Sequence, residues 1–559
     1  MADVFVVSDF NAELASRFIR VDPNSPVLSV ETAPYGQVFQ TLSAERPGSE
    51  AMTLFVWTRP EGIAPSYAAL TEGEPVSIER LLDAVDIFAE TVKRAAQRFR
   101  TVLVASWTRS ESGRGFGLLD WSGGGQARAL ARMNLRLADR LEGHSNVRLL
   151  DSQRWLDVAR PPRDARYWYA IKFPFTESVA QAAARDVKAA VRAFAGQARK
   201  LVILDLDGTL WGGVIGETGW QGVQLGGHDA AGEAYVDFQK ALKTLSARGV
   251  ALGVVSKNTE AVALEAFDQH PEMALRRPDL AGWRINWRDK AENLVELVRD
   301  LNLGLQSVVF IDDNPAERGR IAEAFPEVLV PDWPKDPCRF ADALRQLDCF
   351  DQPSLTAEDR SRVKMYVQER ERTESQRAAG SIEDWLNGLG VRVSIDAVGG
   401  ANLARAVQLA NKTNQMNLRT RRITEPEFLR WLSEGRRRQT LAIQVADRFG
   451  DAGLTGLISW ELADDVLEII DFVLSCRAMG RQIENLMVHL AVEAARAQGS
   501  PRVAAHLFPT SRNGPCREFW KGSGFDEPET DRFIWDAAKP YPKPAFIAVA
   551  AGANGAMSL

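Results

Sequence analysis

The sequence contains very few cysteines: 559 residues include only Cys338, Cys349, Cys476 and Cys516. None of them forms a C-x-x-C pair, so neither a disulfide framework nor a cysteine-based zinc cluster is implied. Long apolar runs are also missing, and no stretch approaches the roughly 18 residues that a membrane-spanning helix needs. The first residues, MADVFVVSDFN, lack the basic start and long apolar core of a signal peptide. These absences predict a reduced, cytoplasmic protein with no membrane span.

Positive charge is not in excess either. Lysine and arginine total 68 and aspartate and glutamate total 74, which gives a formal net charge of −6. This balance argues against nonspecific binding to nucleic acid or to an anionic membrane. A chain of this length exceeds one ordinary hydrophobic core, so about two to four domains are expected. No internal repeat is visible.

Short apolar segments alternate with helical patterns in two successive blocks, which predicts two α/β domains with parallel sheets. The first block spans residues 1–185, and its predicted strands are VFVVSDF, AMTLFVW, TVLVASW and VRLLD. The second spans 198–350 and is expected to be a doubly wound sheet, with predicted strands LVILDLD, VALGVVS, SVVFIDD and EVLVPDW.

A charged helix over 351–380 is predicted to link these domains to a third, α+β domain over 381–540. Its predicted strands are VRVSIDAV, TLAIQVAD, LTGLISWEL, VLEIIDFVLS and RVAAHLFP. Residues 541–559 are expected to form a tail. The predicted fold class is therefore α/β and multidomain.

Two aspartates, Asp205 and Asp207, follow the first strand of the second domain in LVILDLDGTLWGG. A carboxylate at the end of a strand faces the crevice where open α/β sheets bind ligands. Two carboxylates so close repel each other unless a cation or a shared proton relieves them. Mg²⁺ suits such a pair because it prefers oxygen ligands and commonly bridges carboxylates to phosphate.

Further polar residues follow in order at later strand ends and helix starts: Ser256 in LGVVSKN, Lys290 in NWRDKAENL, and Asp312 with Asp313 in VVFIDDN. In a doubly wound sheet these positions can converge on one point. Together they supply what phosphoryl transfer requires, namely a nucleophile, an acid/base, a hydroxyl, a cation and metal ligands. The alternative is a set of helix-capping aspartates with an unrelated lysine, and Asp313 in particular could cap the next helix.

The texts DLDGTL, VVSKN and FIDDN, with Lys290, resemble the four motifs of the haloacid dehalogenase (HAD) superfamily. The longer DLDGTLWGGVIGE and FIDDNPAER resemble its FkbH-like branch. By that resemblance Asp205 attacks phosphorus and carries an aspartyl-phosphate, Asp207 is the general acid/base, and Thr209 supports the second aspartate. The resemblance also implies phosphoryl-binding residues, Ser256 and Lys290, and Mg²⁺ ligands, Asp205, Asp207, Asp312 and Asp313.

In the third domain, IIDFVLSCRAMGRQIENLM places Cys476 between a strand and a helix. A helix N-terminus and the neighbouring Arg477 and Arg481 would lower the thiol pKa and favour a nucleophilic thiolate. The alternative is a buried structural cysteine, which is the usual environment of a free cysteine.

The same stretch resembles the acyl-CoA loop of GNAT-type acyltransferases, in which an R-x-x-G-x-G/A run cradles pyrophosphate. Arg477 and Gly480 match, whereas Gln482 stands where glycine or alanine is expected, which speaks against CoA. PTSRNGPCREFWKGSGF, with Asn513, is also similar to GNAT proteins. FkbH-like proteins carry a C-terminal part of this type, and the resemblance implies that Cys476 is the acyl-carrying nucleophile.

Other polar residues of the third domain are candidates for substrate contact. NKTNQMNLRTRR holds a cluster of amides that includes Asn414, which could bind a polyhydroxylated acyl chain or form an oxyanion hole. Capping of a helix end is the alternative. His506 ends a strand expected beside that of Cys476, so it is a candidate base for the thiol or else a locally hydrogen-bonded histidine.

The first domain faintly resembles SGNH-type hydrolases through VVSDFN and its strand–helix alternation. It lacks the oxyanion Gly/Asn pair and the late D-x-x-H of that family, so Ser8 is predicted to be structural. Docking of a carrier protein is a hypothesis for this domain.

FkbH-like proteins of this architecture look like glyceryl transferase/phosphatases. The resemblance implies that the enzyme takes the phosphorylated three-carbon substrate 1,3-bisphosphoglycerate, removes phosphate and loads the glyceryl group onto the phosphopantetheine thiol of an acyl carrier protein. Two alternatives stay open: a simple magnesium-dependent phosphatase, and a CoA-dependent N- or O-acyltransferase whose HAD part is a scaffold. Polyketide extender-unit supply and surface-glycan decoration both fit.

Overall fold

The computed structural model describes residues 3–22, 26–46, 49, 52–109, 113–227, 229–355, 357–423, 425–434, 437–475, 477–510 and 512–551. The chain divides into two compact units, residues 1–362 and 363–559. The first unit contains two separate parallel sheets, and the second contains one mixed sheet.

The N-terminal sheet has five parallel strands in the order β2-β1-β3-β4-β5. They are β1 (Val4–Ser8), β2 (Val30–Thr32), β3 (Thr53–Trp57), β4 (Thr101–Ala105) and β5 (Val147–Leu150). Strands β1, β3 and β4 are buried at every position, because helices cover both faces of a parallel sheet. This explains why their sequences are continuous apolar runs.

The surrounding helices follow the chain between and after these strands: α1 (Glu13–Val21), α2 (Val38–Ser43), α3 (Pro60–Ile63), α4 (Pro65–Thr71), α5 (Ile78–Ala96), α6 (Gln126–Leu141), α7 (Gln153–Val158), α8 (Ala165–Ile171) and α9 (Glu177–Phe194). Helix α5 begins after Ser77, whose hydroxyl accepts a hydrogen bond from the Arg80 amide. Its apolar positions, three and four residues apart, pack into one core with β1, β3 and β4.

The second sheet of this unit has four parallel strands in the order β8-β7-β6-β9. They are β6 (Leu201–Leu204), β7 (Ala251–Ser256), β8 (Gly282–Ile285) and β9 (Val308–Ile311), and the helices are α10 (Ile215–Gly222), α11 (Ala230–Ala247), α12 (Glu260–Gln269), α13 (Lys290–Asp300), α14 (Pro315–Ala324) and α15 (Phe340–Arg345). The predicted doubly wound sheet over 198–350 corresponds to this block.

One predicted strand of this block is not a strand. EVLVPDW makes a single bridge, Val309 to Leu329, beside β9. Pro331 interrupts the segment, and Pro326 and Pro334 flank it; since proline has no N–H, a longer ladder cannot form there. The strands β2 and β8, both short, were not predicted.

The second unit contains the mixed sheet, in the order β16-β17-β15-β14-β13-β12-β10-β18, with β11 pairing with β14. Its strands are β10 (Arg392–Ala397), β11 (Met416–Asn417), β12 (Arg438–Asp447), β13 (Gly450–Ala463), β14 (Val466–Leu474), β15 (Arg502–His506), β16 (Asp526–Glu529), β17 (Arg532–Asp536) and β18 (Ala548–Ala551). The predicted strands of the α+β domain all form.

The helices from residue 351 onward are α16 (Ala357–Ala378), α17 (Ile382–Leu389), α18 (Leu403–Lys412), α19 (Glu425–Ser433), α20 (Ile483–Ala497) and α21 (Gly514–Gly522). The charged segment expected to be a helical linker is α16. The expected tail differs from the prediction, because β18 within it pairs in parallel with β10 and extends the sheet. Among the described residues, no helix is long and apolar enough to cross a membrane.

Candidate functional site

The carboxyl ends of β6 and β9 bring two aspartates side by side. Leu204 is the register partner of Ile311, so Asp205 and Asp312 directly follow paired residues on adjacent parallel strands. The amide of Asp205 donates to the carbonyl of Ile311 at 3.0 Å, which fixes the first turn beyond the sheet. The strand order reverses at β6, and this reversal is where open α/β sheets bind ligands.

Lys290 joins these aspartates. It is the first residue of α13, which begins after Asp289, whose carboxylate accepts hydrogen bonds from Ala291 N and Glu292 N. The Lys290 Nζ lies 2.8 Å from Asp205 Oδ2 and 2.7 Å from Asp312 Oδ2. All three residues are buried, with 4%, 7% and 0% of their surfaces exposed for Lys290, Asp205 and Asp312. The predicted convergence of these residues is present in the structure.

Burial and mutual repulsion set the protonation of this cluster. Burial raises the pKa of Asp312 to about 6, the charge of Asp205 adds to the rise, and Lys290 opposes it. Burial and the Asp205 charge likewise raise the pKa of Asp313. Burial would lower the pKa of Lys290, but the charges of Asp205 and Asp312 outweigh it and the net shift is upward. The lysine is therefore an ammonium among carboxylates that favour a further cation.

A cation would fit among three of these carboxylates. Ligand oxygens of Asp205, Asp312 and Asp313 all lie within 4.8 Å of one another. The Oδ1 of Asp205 is buried and has no hydrogen-bond partner in the described part of the chain, and a buried oxygen without a partner requires an explanation such as an ion. Gly208 leaves room for this arrangement: its φ is +72°, and a Cβ there would lie 2.5 Å from Oδ2 of Asp313.

Asp207, also predicted to be a metal ligand, is not a member of this group of three. Its Oδ1 accepts hydrogen bonds from Trp211 Nε1 at 2.8 Å and from the Ile215 amide at 3.1 Å, and its Oδ2 accepts from Asn258 Nδ2 at 2.9 Å. Three donors thus fix the orientation of the carboxylate. Trp211 and Asn258 were not predicted, although Asn258 stands two residues after Ser256 in the quoted VVSKN.

The remaining predicted residues of this edge hold its loops. The hydroxyl of Thr209, fully buried, accepts from the amide of Asp313 at 3.1 Å. Ser256 ends β7, is 2% exposed, and its Oγ lies 3.4 Å from Asn258 Nδ2. The cap of α14 is Asn314, which accepts from Ala316 N, so the alternative of Asp313 as the cap is not what the structure contains.

The loop that carries Asp312 and Asp313 is held by a residue that the sequence did not single out. Arg318 donates from Nη1 to the carbonyls of both aspartates at 2.8 Å. It lies in the first turn and a half of α14, and no local pattern distinguishes it from Arg320 of the same helix.

Cys476 lies outside the described residues, but its neighbours Ser475 and Arg477 are described. Ser475, which precedes it, donates its amide to the Thr455 carbonyl at 2.8 Å beside the end of β14. Arg477 donates to Met365 Sδ at 3.0 Å. Arg481, expected to act on the thiol, is 2% exposed, pairs with Asp447 at 2.8 Å and donates to the Arg477 carbonyl.

The loop before α20 is closed by a carboxylate. The amide of Gly480 donates to Glu484 Oε1 at 3.0 Å, and burial raises the pKa of Glu484. Gln482, where the GNAT pattern has glycine or alanine, has a left-handed backbone with φ 56°. Glu484 was not predicted, and it puts an acidic group at the position expected to cradle pyrophosphate.

The amides of the 411–417 cluster mostly support their own loop. Asn414 accepts a hydrogen bond from Arg422. Asn417 donates to the carbonyls of Ala410 and Thr413, at the end of α18. The helix-capping alternative therefore describes Asn417, and the side chain of Asn414 is engaged by an arginine.

Of two further predicted residues, His506 lies apart from the end of β14, whereas Asn513 bonds to Asn417, the register partner of Val473 near that end. The paired register of β14 with β15 ends at Ile469 and Ala505, so His506 lies beside the middle of β14 rather than beside Ser475. Its ring contacts Phe508, with 4.7 Å between centroids. Asn513 is 1% exposed and donates to the carbonyls of Asn417 and Phe508 at 3.1 and 3.0 Å, which ties two loops together.

In the N-terminal sheet, Ser8 is 2% exposed and accepts from the Phe10 amide at 3.1 Å. The crevice after β1 is filled by Asp9, which pairs with Arg59 Nε at 2.8 Å, and Arg59 in turn covers the ring of Trp168. These packed groups leave Ser8 in the structural environment that the sequence predicted.

Among solved structures, the chain is similar to the N-terminal part of protein BF1531 from Bacteroides fragilis, which contains a phosphatase domain and was crystallised with Mg. The identity is 25%, the match covers 63% of this chain and 94% of that one, and the TM-score is 0.57. The spermidine/spermine N-acetyltransferase SpeG from Vibrio cholerae matches 26% of this chain and 94% of its own at 12% identity, with a TM-score of 0.21. An N-acetyltransferase from Staphylococcus aureus matches 26% and 98% at 12% identity, with a TM-score of 0.21. No family model and no curated protein matches the chain.

Proposed function

We propose that the chain is an Mg²⁺-dependent phosphatase of the HAD type joined to an acyltransferase, and that it loads a glyceryl group from 1,3-bisphosphoglycerate onto an acyl carrier protein. The observation that carries the phosphatase part is the buried Asp205–Lys290–Asp312 cluster, with Asp313 beside it and one Asp205 oxygen that has no hydrogen-bond partner among the described residues. The similarity to BF1531, a structure that contains a phosphatase domain with Mg, supports the same reading.

Within the phosphatase reaction, each residue has a separate task. Asp205 attacks phosphorus through its carboxylate, the bond from phosphorus to the ester oxygen breaks, and that oxygen leaves with a proton supplied by Asp207. Water then attacks the aspartyl-phosphate, Asp207 takes a proton from it, and phosphate and the free Asp205 carboxylate are restored. Lys290 and Ser256 lie at the edge where the phosphoryl oxygens would sit. Mg²⁺ held by Asp205, Asp312 and Asp313 would supply charge neutralisation at those oxygens.

The acyl-transfer part rests on the sequence around Cys476. An acyl phosphate is activated at its carbonyl, so a thiolate can displace phosphate and form a thioester, and the thiol of a carrier can then accept the acyl group by exchange. Carrier-bound pantetheine is favoured over CoA by one observation. The Glu484 side chain accepts the amide of Gly480, so this N–H is not available to a pyrophosphate.

Intact-protein mass spectrometry after incubation with Mg²⁺ and enzymatically generated 1,3-bisphosphoglycerate tests the proposal. We expect a glyceryl-sized adduct that is absent in Cys476→Ala and passes to an added holo acyl carrier protein. Cys338→Ala is the matched control, since Cys338 is exposed and far along the chain from the motif. Asp205→Asn should retain phosphate on the adduct.

Two outcomes would favour the alternatives. Asp205-dependent phosphate release without any adduct would leave a simple phosphatase. An acetyl or acyl group transferred from acyl-CoA by the wild-type chain would favour a CoA-dependent acyltransferase.

A further inference from the structure

The charged helix α16 places a row of side chains against the rest of the second unit. Most of the helix, residues 363–378, belongs to that unit. The residues of the row lie three or four positions apart and therefore share one face of the helix: Met365, Gln368, Glu369, Arg372 and Ser375. Each of them contacts either the turn between β12 and β13, residues 447–450, or the loop before α20, residues 477–482. The helix thus packs on the two segments that surround the position of Cys476.

Asp447, at the end of β12, is the centre of these contacts. Both of its oxygens accept from Arg372, Oδ2 from Nε at 2.8 Å and Oδ1 from Nη2 at 3.0 Å. Oδ2 also accepts from Nη1 of Arg481 at 2.8 Å. Oδ1 accepts in addition from the amides of Phe449 and Gly450, at 2.9 and 3.3 Å. Five donors therefore fix the orientation of this carboxylate.

Glu369 completes a ring of four charged groups. Its carboxylate accepts a hydrogen bond from Arg372 and lies 3.6 Å from Nη2 of Arg481. Two guanidiniums alternate with two carboxylates around the ring, so the four charges cancel. Arg372, Asp447 and Arg481 are 6%, 3% and 2% exposed. Because these three are buried, removal of one of them leaves an uncompensated charge.

Arg481 connects this ring to the loop that follows Cys476. While its Nη1 is bound to the ring, its Nη2 donates to the carbonyl of Arg477. On the other side of Cys476, the amide of Ser475 donates to the Thr455 carbonyl at 2.8 Å. The two residues that flank Cys476 in the sequence are therefore held by hydrogen bonds, one to β13 and the other to the ring.

We propose that Arg372 and Asp447 are positioning residues for acyl transfer, and that they hold the loop after Cys476, through Arg481, in the shape that the reaction requires. This inference rests on the proposed function, in which Cys476 carries the acyl group. In this role the two residues act through the backbone of the loop and not on the reacting atoms. The charged face of α16 is then a working part of the acyl-transfer domain.

Single-turnover loading of the full chain with Mg²⁺ and enzymatically generated 1,3-bisphosphoglycerate, followed by intact-protein mass spectrometry, tests this. Arg372→Met should slow adduct formation at saturating donor by about 10- to 100-fold, the cost of a displacement of about 1 Å, with little change in the donor concentration that gives half the maximal rate. Arg372→Lys keeps the charge but not the two-pronged geometry, so an intermediate rate is expected. The Asp205-dependent phosphatase activity should be kept by both variants.

Arg448→Met is the matched control. Arg448 is exposed and donates to the Ser375 hydroxyl of the same helix at 2.6 Å, but it is not a member of the ring. This variant should load at a rate close to that of wild type. Equal losses in Arg372→Met and Arg448→Met would indicate a general loosening of α16 and would overturn the positioning role. A folded Arg372→Met protein that loads at the wild-type rate would do the same. Where Arg372→Met does not fold, Arg372→Lys against Arg448→Lys gives the same comparison.

Failure of the proposed function is observed separately. If wild type forms no adduct, alkylation of Cys476 by iodoacetamide, located by peptide mass spectrometry, replaces the loading assay. Alkylation should then be slower in Arg372→Met than in wild type and Arg448→Met, because a nucleophile held for reaction loses its position. Equal alkylation rates in the three proteins would overturn the positioning role, whatever the acyl donor is.

Discussion

Replacing Lys290 with methionine removes the ammonium that joins Asp205 and Asp312 at the ends of β6 and β9. The Nζ makes contacts of 2.8 and 2.7 Å to Asp205 and Asp312, and the lysine side chain is 5% exposed. Removing one partner from a buried ion pair leaves an uncompensated charge and costs about 3–5 kcal/mol. We therefore expect Lys290→Met to lower the free energy of unfolding of the metal-free first unit by about that amount.

A matched lysine makes the measurement specific. Lys257 pairs with Glu317 at 2.7 Å next to the same edge, but its side chain is 41% exposed. An exposed pair contributes only about 0.2–1 kcal/mol, so Lys257→Met should be nearly neutral. Urea denaturation in EDTA, followed by tryptophan fluorescence, compares the two variants. Equal unfolding midpoints for both would refute the reasoning, since burial would then not decide the value of the pair.

The pH dependence gives a second check on the same variant. The pKa of Asp312 is raised from 3.8 to about 6 in the folded protein, so the folded state binds this proton more tightly than the unfolded state does. Its contribution to stability is present at low pH and is lost as the pH rises through about 6. Without Lys290 the repulsion grows, and the destabilisation should be smaller at about pH 5 than at about pH 8. A larger destabilisation at the lower pH would contradict this.

Three further predictions concern other contacts. Gly208→Ala should weaken Mg²⁺ binding, measured by titration calorimetry, because its Cβ would displace the Asp313 carboxylate, whereas Gly213→Ala, with φ +87° and nothing within 4 Å, carries only the backbone strain. Asp447→Asn should destabilise the second unit by about 3–5 kcal/mol, since this buried carboxylate pairs with two arginines. Burial raises the pKa of Asp447, but the arginines lower it overall, so the stabilisation by this carboxylate should disappear as the pH falls below about 3.8, which thermal unfolding measures. Asn258→Ala should slow turnover of p-nitrophenyl phosphate by about 10-fold or more without loss of fold, as judged by circular dichroism, because Asp207 loses one of its three donors.

Much of this architecture could be predicted because it follows from local patterns. Continuous apolar runs identified the buried parallel strands, and polar residues at strand ends identified the edge at which Asp205, Ser256 and Asp312 meet. The start of α13 at Lys290 follows from a capping aspartate immediately before it. Where prolines interrupt an apolar run, as in EVLVPDW, the same local rule predicted a strand that cannot form its hydrogen bonds.

The direction of each side chain was decided by the tertiary structure. Asp207 lies two residues from Asp205, but the left-handed turn at Gly208 and donors from Trp211, Ile215 and Asn258 hold it outside the group of three carboxylates. Residues far apart in the chain meet in the same way where Arg163 reaches Thr108. The sequence by itself therefore determined which residues reach each edge of a sheet, because strand period and capping are local. Which of these residues face one another was decided only by long-range packing.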